Sequence, residues 1–283
     1  MDSICVTVTY SLTLCFSSVT VVLNSFLISR ILRKRVLKNA QVQIQYYCIG
    51  FYFVFAMFTG IHSGYMIEAL HDPNRNHEVI FWTGILPNSL IEVIGVGNAI
   101  IALDRFFAMT SPIKYSKRYC ELVRKLYWCA IPLSAISYFI AQLIMKRQWG
   151  PAIMFSQHVD FSTVYILYFI NTVASVGDIC ITVGFLIMFC KFTKRQNTLV
   201  NSTFMKDIKK ANQIVVYQIL LEALLIIVPF TIGGIFYYVF DVNLPYKIGP
   251  FPVMLMMLYT SCCAVMYIHK MCKGNVNEVS SHA

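Results

Sequence analysis

Val-Ile-Phe-Trp-Thr-Gly-Ile-Leu-Pro-Asn-Ser-Leu-Ile-Glu-Val-Ile-Gly-Val-Gly-Asn-Ala-Ile-Ile-Ala-Leu occupies residues 79–103, and Asp104-Arg105 follows at once. These 25 residues carry one formal charge, at Glu92. A helix needs about 20 mainly apolar residues to cross a hydrocarbon layer of about 30 Å. The apolar residues run continuously instead of alternating, so the stretch reads as a spanning helix and not as a barrel strand. Six further runs of this kind lie at 5–29, 40–67, 126–145, 161–190, 214–240 and 248–269. Seven runs predict an all-α integral membrane protein, a single seven-helix bundle over 1–269 with a short tail at 270–283. Composition agrees: 58% of the 283 residues are apolar and 13% are charged, about half the roughly 25% charged of a soluble domain. The segments between the runs are too short for a second core.

The cations set the expected topology. Of 23 Lys and Arg, 19 fall at one set of alternating junctions: Arg30 to Lys38, Arg105 to Lys125, Lys191 to Lys210, and Lys270 with Lys273. The other set has only Arg75, Lys146, Arg147 and Lys247. Short Lys/Arg-rich loops stay in the cytoplasm, because carrying cations through the bilayer is disfavoured. The N-terminus is therefore expected outside and the C-terminus in the cytoplasm, in a multi-pass protein of the plasma membrane. The net charge of +10 belongs to the inner face, where it meets anionic lipid of the bilayer; it does not indicate nucleic acid.

Several function classes drop out. The chain shows no Gly-rich phosphate loop, metal-spaced His/Cys cluster or nucleophile triad, so no enzyme, cofactor or metal is expected. The ten cysteines do not form a disulfide framework, since only Cys5 lies near the predicted exterior. The N-terminus lacks a basic region ahead of its apolar run, which is long enough to act as a signal anchor. The sequon Asn201-Ser202-Thr203 lies in a predicted inner loop and is expected to stay unglycosylated. Cys272, next to the last run, is either palmitoylated or a free thiol.

The most specific local signal is Asp104-Arg105-Phe106-Phe107-Ala108-Met109-Thr110-Ser111-Pro112-Ile113-Lys114-Tyr115. An obligately charged guanidinium at a membrane rim needs a carboxylate, and Asp104 supplies one. This register resembles the Asp-Arg-Tyr-x-Ala-Ile-x-x-Pro-Leu-x-Tyr pattern of rhodopsin-like G-protein-coupled receptors. Asn24, Trp128 and Pro229 also fall where those receptors carry matching residues. The departures are substantial. Helix two has no Asp, helix five has no Pro, and no Trp precedes Pro229. The Asn-Pro-x-x-Tyr signature survives only as Tyr267, and the cysteine expected at the outer end of helix three is missing. With these losses and the stretch 31–41, Ile-Leu-Arg-Lys-Arg-Val-Leu-Lys-Asn-Ala-Gln, the chain resembles the nematode serpentine chemoreceptors of class bc.

The resemblance implies a receptor of sensory neurons that binds an external small molecule in its outer half. It would activate a heterotrimeric G protein through the inner ends of helices three, five and six. Asp104, Arg105, Phe106, Pro112, Tyr115, Lys209 and Tyr267 are the coupling residues it implies. Pro229 would be a hinge, with Glu222 as part of the switch.

Glu92, Asp178 and Glu222 fall at one depth, each 12 or 13 residues from the nearest inner cation, roughly 18–20 Å at the helical rise. Intramembrane acids are costly, about 2.5–3.5 kcal/mol at a helix centre on insertion scales. Two readings stand: neutral, hydrogen-bonded carboxyls, or a site for a cation or amine ligand. The latter would also fit a transporter or channel with an acidic path, against which stand the odd helix number and the lack of an internal repeat. Candidate pocket residues of the outer half are Phe81, Trp82, Asn88, Glu92, Tyr168, Asn171, Asp178, Tyr237, Phe251 and Met254. Such a mixture suits a largely apolar pocket with a few polar contacts, although most bundle aromatics are packing.

Overall fold

A computed structural model describes residues 3–34, 40–72, 75–111, 114–146, 155–159, 183–191, 216–240 and 248–279, with isolated positions at 177, 180, 181, 242 and 244. Seven helical elements follow: α1 (Ser3–Lys34), α2 (Ala40–Ala69), α3 (His77–Thr110), α4 (Cys120–Ile144), α5 (183–191), α6 (216–240) and α7 (Phe251–Val279). Six are long and apolar enough to cross a membrane. The seventh predicted run, 161–190, lies largely outside the described residues; α5 is its last turns. Among the described residues the only β-type pairing is one antiparallel bridge, Lys146 with Val159.

Burial follows the lipid. Leu126, Leu133, Ile144, Leu224 and Val239 are exposed, as suits helices whose surroundings are as apolar as their side chains. Leu27, Tyr52, Phe55, Ile94, Ile101, Phe185, Met257 and Tyr259 form the core between helices. Helix α1 turns an opposite kind of face inward: Thr9, Thr13, Ser17, Thr20 and Asn24, three or four residues apart, are all buried. This stripe meets α7, with Thr20 Oγ1 2.7 Å from Ser261 Oγ and Ser17 Oγ donating to Met257 Sδ at 3.1 Å. Without a hydrophobic drive between helices in lipid, small hydroxyl residues allow the close approach and hydrogen bonding that hold such a seam.

Two prolines shape the longer helices. Pro87 in α3 removes a backbone donor, and Asn88 next to it donates its side-chain amide to the Gly84 carbonyl at 2.8 Å. In α6, Ala223–Ile227 forms a π-helical turn directly ahead of Pro229. The proline ring would otherwise meet the carbonyl four residues back, at Leu225, and the widened turn gives it room.

The helices outrun the predicted spans at their basic ends. Helix α3 continues to Thr110 instead of ending at 103, α4 begins at Cys120 instead of 126, and α7 runs to Val279 through much of the expected tail. Apolarity marks where hydrocarbon stops, whereas the backbone ladder continues into the polar zone until a cap or breaker ends it. At its other end α3 is capped by Asn76, whose side chain accepts from the Glu78 and Val79 amides at 3.0 and 3.4 Å.

Candidate functional site

Three groups of residues stack along the bundle, beginning at the basic end. Arg105 and Asp104 are both buried, at 3% and 1% exposure, with Nη2 3.2 Å from Oδ2. The Tyr115 hydroxyl donates to Asp104 Oδ1 at 2.7 Å from the π-helical turn Tyr115–Tyr119 that leads into α4. Burial and the adjacent Asp104 carboxylate hold the Tyr115 phenol above its ordinary pKa, so it remains a neutral donor. A charge-assisted bond of this kind is among the stronger ones. The carboxylate is thus held from both sides, and the guanidinium is anchored through it.

Seven residues before Arg105, two helical turns along the same stripe of α3 and roughly 10 Å away at the helical rise, stands Asn98. Its Oδ1 accepts from the Tyr52 hydroxyl of α2 at 3.0 Å, and its Nδ2 donates to the Tyr259 hydroxyl of α7 at 3.0 Å. Gln218 of α6 joins them: its Nε2 donates to Asn98 Oδ1 at 3.2 Å and to the Tyr52 hydroxyl at 3.3 Å. The Tyr267 hydroxyl then donates to Gln218 Oε1 at 3.0 Å. All five side chains are buried. Tyr267 also lies within electrostatic reach of Arg105, so the two groups form one column. Buried side chains thus tie four helices, α2, α3, α6 and α7, together.

Two of the acids expected in a single layer, Glu92 and Glu222, fall on described residues. Glu222, buried one turn beyond Gln218 on the same face of α6, lies within electrostatic reach of Cys48, Tyr259 and Cys263 on α2 and α7. Glu92 is half-buried and within reach of Tyr138 on α4, next to the Ser89–Gln142 contact of 3.3 Å between α3 and α4. It stands about 120° around α3 from Asn98 at 100° per residue. Equal depth fixes height along a helix but not azimuth. Asp178 lies outside the described residues.

At the opposite end, the segment after α4 folds back over α3. Lys146 pairs with Glu78 at 2.5 Å, and its ammonium sits 4.7 Å from the Phe81 ring centroid and 5.5 Å from that of Trp82. Phe155 stacks on Phe81 with centroids 5.7 Å apart and planes at 23°. His158 is buried, its ring 5.7 Å from His77. Burial holds its imidazole below the ordinary pKa, with His77 and Lys146 acting in the same direction and Glu78 against them.

Of the predicted pocket residues, Trp82 is 49% exposed and edge-on to Phe81, facing outward. Asn88 is occupied with the Gly84 carbonyl, and Tyr237 is half-buried on α6. Tyr168 and Asn171 lie outside the described residues, as do Pro112 and Lys209 among the coupling residues. Phe106 is half-buried, edge-on to Phe107. Tyr267 is an interior member of the polar network and not a surface group. Tyr52, Asn98, Gln218, Tyr259, Phe155 and His158 were not anticipated. Asn98 and Gln218 carried a readable signal: each is a polar residue in an apolar run, in phase with Arg105 and Glu222 respectively.

The family model of the serpentine type 7TM GPCR chemoreceptor Srbc matches residues 1–149, more than half of the 283 residues. No curated protein matches the sequence.

Proposed function

The chain belongs to the Srbc family of serpentine seven-helix chemoreceptors, and from that premise we propose that it is a ligand-gated switch coupled to a G protein. The basic end faces the cytoplasm and the Asn76-capped end of α3 faces outward, following the distribution of cations. An external small molecule bound in the outer half favours a state in which α6 swings away from α3 and α7. The inner face, with Asp104, Arg105, Phe106, Tyr115 and the basic segments holding Pro112 and Lys209, then engages a heterotrimeric G protein.

One observation carries this reading: Gln218 of α6 bonds simultaneously to Tyr52, Asn98 and Tyr267, in a column that reaches Arg105. A hydrogen-bonded tie between a helix and its neighbours acts as a bistable element when its bonds are made in one arrangement and broken in the other. The π turn and Pro229 lie immediately beyond it, where the regular backbone ladder of α6 is interrupted. Release of Arg105 from the Asp104 carboxylate, which Tyr115 holds in the resting arrangement, completes the path to the inner surface.

The test uses cells expressing the intact chain with an N-terminal epitope. The tag should be accessible on intact cells, a second-messenger screen against diverse small molecules should find an agonist, and Arg105→Ala should reach the surface yet lose that response. Full signalling by surface-expressed Arg105→Ala, or a tag reachable only after permeabilisation, removes this mechanism.

A further inference from the structure

We propose that the outer end of α3 carries a socket for a small, single-ring aromatic ligand, and that the chain's own Phe155 fills it in the unliganded receptor. This deepens the receptor reading and rests on it. The socket begins at Gly84. A Cβ placed there would lie 2.6 Å from Phe155 Cδ2, 2.9 Å from its Cγ and 3.0 Å from His62 Cε1. The ring of Phe155 therefore presses against bare backbone, a fit that only glycine allows. Phe81 supplies a stacking face, and Ile85 with Phe139 closes the apolar wall. His62 is fixed by its Nδ1 contact with Thr83 Oγ1 at 3.0 Å. Except for Phe155, these residues stand on long helices.

The occupant is held differently. Phe155 belongs to a single 3-10 turn, Phe155–Gln157, closed by the His158 amide donating to the Phe155 carbonyl at 2.9 Å. The segment is further fastened by the Lys146–Val159 bridge, by Val159 in the same apolar cluster and by His158 against His77. Cys5 and the other described cysteines are free thiols, so no covalent staple was found for this loop among the described residues. A rigid socket filled by a ring on a short, non-covalently held turn is a site whose native occupant can be exchanged. The incoming molecule must reproduce what Phe155 does: one flat ring stacked on Phe81 and edged into the Gly84 notch. Aromatic pairs favour such stacked geometry beyond their area, which selects an aromatic ring over a saturated one of equal size. Binding necessarily expels the 155–159 turn, linking ligand entry to release of the loop that ties α4 to α3.

Fluorobenzene is the probe, measured by fluorine NMR on the full-length receptor in lipid nanodiscs without G protein, with cyclohexane as competitor. The wild type should bind saturably, and hydrogen exchange of residues 155–159 should accelerate on binding. Phe155→Ala, freed of its internal competitor, should bind about tenfold more tightly, and Gly84→Leu should weaken binding at least tenfold in both backgrounds. Cyclohexane should compete poorly. If Gly84→Leu fails to assemble, Gly84→Ala, whose added methyl already collides with the seat, should weaken the probe at least threefold. Binding by Phe155→Ala alone would mean a cavity made by the mutation and would overturn the proposal, as would unchanged affinity in Phe155→Ala or in the Gly84 variants. A receptor that signals to other agonists but lacks this site defeats only the socket. Socket binding with no second-messenger output from any ligand defeats the receptor reading instead.

Discussion

Replacing Gln218 by leucine isolates the tie between α6 and the rest of the bundle. The substitution keeps length and helix propensity while removing two donations, at 3.2 and 3.3 Å, and one acceptance, at 3.0 Å. Each net hydrogen bond is worth about 0.5–1.5 kcal/mol, and the two at the long edge of normal geometry belong at the low end. The sum is about 2 kcal/mol lost from the state in which these bonds are made. Asn98 and Tyr52 keep each other and Tyr259 as partners, whereas Tyr267 loses the acceptor of its hydroxyl. About 2 kcal/mol corresponds to a factor of about thirty in an equilibrium. A receptor resting with roughly one molecule in a hundred active would move to about one in four. The measurement is agonist-independent second-messenger output normalised to surface receptor, paired with the thermal midpoint of the purified protein. Tyr267→Phe, which removes one of the three bonds, should give a smaller rise in the same direction. A lowered midpoint with unchanged basal output in both variants would show that the network holds the fold in every state and does not discriminate between them. That result would refute the switch, because a tie present in resting and active states alike cannot bias their balance.

Tyr115→Phe deletes the charge-assisted bond to Asp104, worth about 1.5–3 kcal/mol when one partner is ionised; basal output should rise by tenfold or more, and a fall would show that the phenol supports coupling instead. For His158 the sign follows from its depressed pKa: the neutral form is favoured in the packed turn, so its contribution is present above the unlinked value of 6.5 and is lost as pH falls through the packed value. The protection factors of residues 155–159, which are the intrinsic exchange rate at each pH divided by the observed rate, should therefore fall on going from about pH 7.5 to about pH 5.5, and His158→Gln should flatten the dependence; a dependence that survives the substitution assigns it elsewhere. Pro229→Ala restores a backbone donor and lets the turn Ala223–Ile227 close toward regular α-helix. Efficacy of a saturating agonist should fall while the thermal midpoint holds or rises, and an unaltered maximal response would remove the hinge role.

The sequence by itself determined the membrane solution, the number of spanning runs and the motif that marks the foot of α3. These depend on one-dimensional quantities: the length of an apolar run against bilayer thickness, the sign of the charges at its ends, and a local register of residues around Arg105. It also exposed the raw material of the site, since Asn98, Gln218 and Glu222 are polar interruptions in apolar helices. What it left open was azimuth. Depth along a helix does not say which neighbours a side chain meets: Glu92 lies within electrostatic reach of Tyr138 on α4, and Glu222 within reach of Cys48 on α2 and Tyr259 and Cys263 on α7, and rotation of each helix is settled by packing against its neighbours. Tyr52, Tyr259 and Tyr267 look like ordinary bundle aromatics until α2, α3, α6 and α7 bring their hydroxyls to Asn98 and Gln218. Phe155 is one more aromatic in a loop until the chain folds back and seats it against Gly84. Such contacts join residues tens to hundreds of positions apart, and only the tertiary arrangement decides which polar group each will find.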